Sequence, residues 1–172
     1  MKITRVWISP VALATLLGVG ASERPAAGQE QEEPCGLLLG HRVPLGAEIV
    51  QAVAVRNSHP SPERGFQMEP EDLVVAGRAG RAKGLDIVGF WHGHLAGPAW
   101  PGELDGEGMQ LIRGDGLPPQ VHLVVGRGST GRRVVRAFRE GRSRPKNVPL
   151  LLLGRPRGKS GGSSVARSTT QA

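Results

Sequence analysis

One cysteine, Cys35, stands in 172 residues, so no disulfide can form within the chain, a composition that fits a reducing compartment. Without a cysteine partner it is also a poor metal ligand, and its place at the head of an apolar segment reads as a buried small hydrophobe. Aromatic residues make up 3% of the chain. None lies among the basic residues of 155–172, which removes the stacking platform of a single-strand nucleic-acid binder. Acidic side chains almost vanish from Arg132 onward, where eleven Lys or Arg face Glu140 alone; residues 1–131 hold 11 basic and 14 acidic side chains. The net charge of +7 therefore belongs to the C-terminal end. The apolar run Val11 to Ala21 is too short to span a bilayer. No internal repeat is visible, and no nucleotide loop: Gly126 to Gly131 lacks the Gly-Lys-Ser/Thr ending, and Gly158-Lys159-Ser160 has no strand before it.

What is present suffices for one domain. With 38% apolar residues, 172 positions support a single core and not two. The domain is expected over residues 1–140, with 153 as the alternative boundary, and residues 154–172 as a basic, disordered, solvated tail rather than a nucleic-acid arm. Lys2 and Arg5 before the Val11 to Ala21 run also match a secretory signal peptide. The preferred reading is a folded strand over Met1 to Ile8 and a helix opening at Pro10, which places the protein in the cytoplasm; export is the alternative.

The segment Phe90-Trp91-His92-Gly93-His94, followed by a Gly- and Pro-rich turn reaching Asp105, carries the chemistry. Leu85 to Phe90 is β-prone, so His92 and His94 are expected at the end of a strand, sharing one face, with Gly93 on the other. The turn can return Asp105 to the same pocket. Two imidazoles and a carboxylate match a catalytic zinc site, which takes three protein ligands and leaves a position open. Such a site also needs a carboxylate outside the metal's ligand set to move protons.

Upstream lies Glu32-Glu33-Pro34-Cys35-Gly36-Leu37-Leu38-Leu39-Gly40. Paired with His92-Gly93-His94, seven residues, a small residue, two residues and Asp105, it resembles the JAMM (MPN-plus) metalloprotease family, whose pattern is Glu, then His-x-His-x(7)-Ser-x(2)-Asp. Val53 to Asn57, Phe66 to Pro70 and Val88 to His92 resemble segments of small stand-alone bacterial members, so the likeness covers residues 1–140. The resemblance implies an α/β sandwich of the MPN, cytidine-deaminase-like kind, with a central mixed sheet flanked by helices. It implies that His92, His94 and Asp105 bind Zn2+ and that Glu33 is the catalytic base and acid, with Glu32 as the alternative. It also implies a zinc-dependent peptidase or isopeptidase acting on a protein or peptide substrate, such as the C-terminal tail of a ubiquitin-like or sulfur-carrier protein. Three positions depart from the pattern: Gly93 replaces Ser or Thr, Leu95 replaces Pro, and Gly102 replaces the motif serine. Losing one oxyanion donor costs on the order of a hundredfold in rate, so the alternative is a catalytically impaired binding module that keeps the fold and the zinc.

The remaining elements are expected as strands over Cys35 to Gly40 and Ile49 to Val55, and a helix from Pro70 to Lys83 stopped by Gly84. A short helix from Glu103 follows, then strands over Val121 to Val125, Arg133 to Phe138 and Val148 to Leu153. His41, His59 and His122 have no ligand at metal spacing and are expected to be exposed or hydrogen-bonded structural residues. Trp91 and Trp100 flank the histidines, either as packing or as the lining of a peptide groove.

Overall fold

Strand β1 (Arg5–Ile8) runs into Ser9, whose side chain starts helix α1 (Pro10–Gly18). Ser9 Oγ accepts from the Ala12 N–H at 3.0 Å and donates to the Val50 carbonyl at 2.8 Å, and Pro10 occupies the first turn, where no N–H is needed. The computed structural model describes residues 3–19, 31–102, 105, 120–141 and 144–154. The expected helix from Glu103 and the basic tail beyond 154 lie outside the described residues.

Strands β2 (Cys35–Val43) and β3 (Gly46–Val55) form an antiparallel hairpin, and helix α2 (Pro70–Ala82) follows. Glu71 and Asp72 in its first turn and Arg81 in its last suit the helix dipole, and Gly84 at φ 71° ends the segment. Next come β4 (Asp86–Pro98), β5 (Val121–Arg127), β6 (Arg133–Arg139), β7 (Lys146–Val148) and β8 (Leu150–Leu152). The glycine-rich 126–131 segment is the turn of the β5–β6 hairpin, as expected.

The eight strands among the described residues form one sheet in the order β7-β6-β5-β4-β2-β3-β1-β8. β4 pairs antiparallel with β2 and parallel with β5, so the histidine strand is central. Strands β7 and β8 are consecutive, separated only by Pro149, yet they occupy opposite margins of the sheet: β7 pairs with β6 and β8 with β1. The Val6 N–H donates to the Pro149 carbonyl at 2.9 Å. One short stretch thus joins the two margins, and the sheet curls nearly into a barrel. Helix α1 packs against both β3 and β6, and its Ala12 and Leu16 are buried with Val6, Ile49, Trp91, Leu123, Val125 and Ala137.

The expected helix-flanked sandwich holds only in part. Among the described residues, α2 alone covers the sheet from outside, packing with Leu37, Leu39 and Leu85, while α1 is wrapped by it. The N-terminal strand and helix take their expected places. Among the described residues, no helix is long and apolar enough to cross a membrane.

Candidate metal centre

Register explains why the separated motifs meet. β2 and β4 pair with Cys35 opposite His92, and the Gly93 N–H donates to the Pro34 carbonyl at 2.7 Å, so the antiparallel contact continues past the end of β2. Two residues on, Glu33 faces His94. By strand parity Glu33, Cys35, His92 and His94 share a face, while Glu32 falls on the other and is exposed. The histidines lie within β4 rather than at its end, at the point where β4 parts from β2 and, beyond Gly93, from β5 until Pro98 meets Arg127. That divergence opens the pocket. Beyond it, Pro98 and Ala99 cross directly over Gly126, where an added Cβ would come within 2.4 Å of the Ala99 nitrogen.

Three ligand atoms converge there. His92 Nε2 lies 2.9 Å from His94 Nε2 and 3.2 Å from Asp105 Oδ2, and His94 Nε2 is 3.4 Å from the same oxygen. Ligands at zinc's usual distances, set tetrahedrally, are about 3.3 Å apart, so this donor set fits that ion. His94 Nδ1 faces the Pro98 carbonyl at 2.8 Å, and the Gly102 N–H donates to Asp105 Oδ2 at 2.7 Å. Phe66 stacks on the His92 ring at 4.4 Å and 14°. His92 is fully buried.

The electrostatics divide the roles. Burial pushes the His92 pKa below the usual histidine range, which keeps its ring neutral and able to ligate. The hydrogen bond with Asp105 raises that of His94. Burial opposes ionisation of Asp105, but its contacts with the His92 and His94 rings and the Gly102 N–H outweigh it and hold its carboxyl well below the carboxylate range. Glu33 is half-buried, and desolvation raises its pKa; the nearby Asp105 carboxylate adds to this, while His94 and His59 oppose it. A carboxyl raised in this way is suited to exchanging protons near neutral pH. Cys35 is buried and its thiol is pushed up to about 12 by desolvation and by Glu32 and Glu33, so it is inert.

Asn57 ties the Glu33 segment to the loop after β3. Its Nδ2 donates to the carbonyls of Glu33, Pro62 and Gly65 at 3.0, 3.3 and 2.9 Å, while its Oδ1 accepts from the His59 and Gln67 N–H groups at 3.0 and 2.9 Å. The Glu33 N–H donates to the Pro62 carbonyl at 2.7 Å.

The departures from the motif differ in character. A Cβ on Gly93 would lie 2.9 Å from Pro34 Cγ, so the missing side chain makes way for the proline beside Glu33. Among the described residues, a Cβ on Gly102 would meet only Asp105 Oδ2, at 3.5 Å. His41 is exposed and His59 is hydrogen-bonded within its loop, as expected. His122 is hydrogen-bonded too, but its partner is His92: Nε2 lies 2.8 Å from His92 Nδ1. Sequence spacing could not reveal this contact, which depends on the parallel β4–β5 register setting Phe90 opposite His122. Trp91 is core on the opposite face. Trp100 is 51% exposed, set edge-on to Phe138 at 5.2 Å and under Arg136 at 5.3 Å.

A curled mixed sheet presenting two histidines and an aspartate beside a half-buried glutamate defines a protein of the JAB class. The profile described as prokaryotic homologues of the JAB domain matches residues 22–140, and the chain belongs to that family, the JAMM/MPN type its motif resembles. It is 33% identical over 78 residues to a desampylase of Pyrococcus furiosus, covering 45% of this chain and 52% of that one. It is 32% identical over 74 residues to a "Probable TtuB-protein conjugate cleaving protease" of Thermus thermophilus, covering 43% and 47%. The chain thus spans about half the length of these curated relatives. A solution structure of a Desulfitobacterium hafniense protein matches with a TM-score of 0.68 at 22% identity, over 87% of this chain and 94% of that one. A second, from Salinibacter ruber, matches at 0.58 and 23%, over 89% and 93%. These likenesses concern the fold.

Proposed function

We propose that the protein is a zinc-dependent peptidase or isopeptidase of JAMM type, cleaving a peptide or isopeptide bond at the C-terminal tail of a ubiquitin-like or sulfur-carrier protein. The observation that carries the reading is the convergence of His92 Nε2, His94 Nε2 and Asp105 Oδ2 beside the half-buried carboxyl of Glu33. The relatives named as a desampylase and a conjugate-cleaving protease support the choice of a protein conjugate as substrate.

His92, His94 and Asp105 would hold the ion. When bound, zinc supplies Lewis-acid polarisation of the scissile carbonyl and lowers the pKa of water. Glu33 takes the proton of the attacking water onto its carboxylate and returns it to the leaving nitrogen, a transfer that its raised pKa favours. Phe66, lying on His92, keeps bulk water from that side of the site. Asp105, which accepts the Gly102 N–H, stays ionised.

The test offers the zinc-loaded protein a C-terminal conjugate of a small ubiquitin-like carrier. Cleavage is expected, and Glu33→Gln should reduce it by roughly 10²–10⁴-fold while zinc remains bound. Cleavage unchanged in Glu33→Gln sinks the mechanism. One observation favours a second reading, a binding module with little turnover: Gly102 supplies no hydroxyl where the motif has one. If the natural protein is inert and Gly102→Ser cleaves, that second reading stands.

A further inference from the structure

We propose that His122 is a positioning residue for the metal centre: its Nε2 accepts the Nδ1 proton of His92, fixing the tautomer that leaves His92 Nε2 free for the ion. This rests on the reading of His92, His94 and Asp105 as the ligands.

Two neutral arrangements satisfy the 2.8 Å contact between His92 Nδ1 and His122 Nε2. In one, His122 donates, His92 Nδ1 accepts, and the remaining proton of His92 sits on Nε2, where it blocks a metal. In the other, His92 donates from Nδ1 and its Nε2 lone pair points at His94 and Asp105. Only the second permits ligation. His94 faces no such choice, because the Pro98 carbonyl at its Nδ1 can only accept. His92 alone among the two histidine ligands depends on a partner able to play either part.

The ligating arrangement puts the His122 proton on Nδ1, an atom that is buried with no hydrogen-bond partner among the described residues. Buried polar atoms without partners are uncommon. Here the orphan follows from committing the other ring nitrogen to His92 while Phe90 covers the ring at 4.4 Å. His122 is fully buried and sits on the parallel neighbour of the metal strand, so neither ring has room to turn to another partner. Partners that orient a ligating histidine in this way are normally carboxylates or carbonyls, and their loss typically weakens metal binding 10–100-fold. A neutral imidazole sets the direction of the ring without adding charge to the site.

The experiment measures zinc affinity by competition with a chromophoric chelator, and thermal unfolding of the metal-free protein, for wild type, His122→Leu, His122→Gln and His122→Asn. Leucine keeps apolar bulk without an acceptor and should weaken zinc binding about 10–100-fold. Glutamine, whose Oε1 reaches the place of Nε2, should stay within about threefold of wild type, and asparagine, one methylene shorter, should fall with leucine. A loss of metal-free stability in these variants with unchanged zinc affinity means a purely structural histidine and overturns the proposal. If His122→Leu does not fold, the Gln and Asn variants carry the test, and equal zinc affinity for those two overturns it. Wild-type protein that takes up no stoichiometric zinc overturns the ligand reading itself, a result distinct from variants that all bind as wild type does.

Discussion

Replacing Asn57 by alanine removes in one step five backbone contacts, four that brace the 57–67 loop and one that ties it to the Glu33 carbonyl. Two N–H hydrogens serve three carbonyls, with the 3.3 Å contact to Pro62 the weakest, so four effective bonds are lost. At a net 0.5–1.5 kcal/mol each, the ceiling is about 6 kcal/mol. The site is only part-buried and water will replace some of these partners, which brings the expected loss to about 2–3 kcal/mol. For a chain of this size that corresponds to a fall in Tm of about 5–10 °C. Turnover should fall further than stability alone implies, because the Glu33 carbonyl loses its link to the loop and a displacement of about 1 Å in a reacting group can cost on the order of a hundredfold. Zinc affinity should change little, since the ligands come from β4 and Asp105. Thermal unfolding, chelator competition and single-turnover cleavage of a carrier conjugate measure the three quantities separately. Asn57→Asp sharpens the comparison: it keeps the acceptor for His59 and Gln67, loses all three donations, and adds a negative charge near Glu33. An Asn57→Ala protein with wild-type Tm and wild-type turnover would refute the reasoning.

Two further outcomes follow from the site. Gly93→Ser, which restores the residue type usual in the motif, should lower both stability and turnover, because its Cβ meets Pro34 Cγ at 2.9 Å and displaces the proline attached to Glu33; a variant with unchanged Tm and turnover counts against that packing. Burial raises the Glu33 pKa above its unfolded value, so this carboxyl favours the fold below about pH 4.3 and that contribution is lost as pH rises through the folded value. Metal-free Glu33→Gln should therefore be more stable than wild type at pH 7, with the advantage vanishing near pH 4; urea titrations that show the same difference at both values would contradict it.

How much of this could be read in the sequence depended on how far apart in the chain each contact lies. His92 and His94 were legible because strand periodicity puts residues two apart on one face, whatever the neighbouring strands do. Glu33 was legible only through resemblance to a family, since it reaches His94 through the β2–β4 register, and nothing local to residues 31–40 announces that register. Strand parity within that register puts Glu33, and not Glu32, on the face of His92 and His94. His122 was not legible. Val121 to Val125 is buried on both faces, so it shows no alternation that would mark one face as the metal side.

The near-closure of the sheet was hidden for a different reason. Three-residue strands carry no measurable period, and the same stretch of chain had to be assigned to both margins, with Pro149 marking the break. Yet that closure bears on the site. By joining β6 to β1 through residues 146–152, it holds the sheet curled around α1 and fixes the outer neighbour of β5, the strand that presents His122. Leu150, packed against the core, and Val148, buried within it, anchor the two ends of that closure. The sequence motif names the candidate ligands, but the approach of His122 to His92 is set by the parallel β4–β5 register, which no spacing rule for histidines contains.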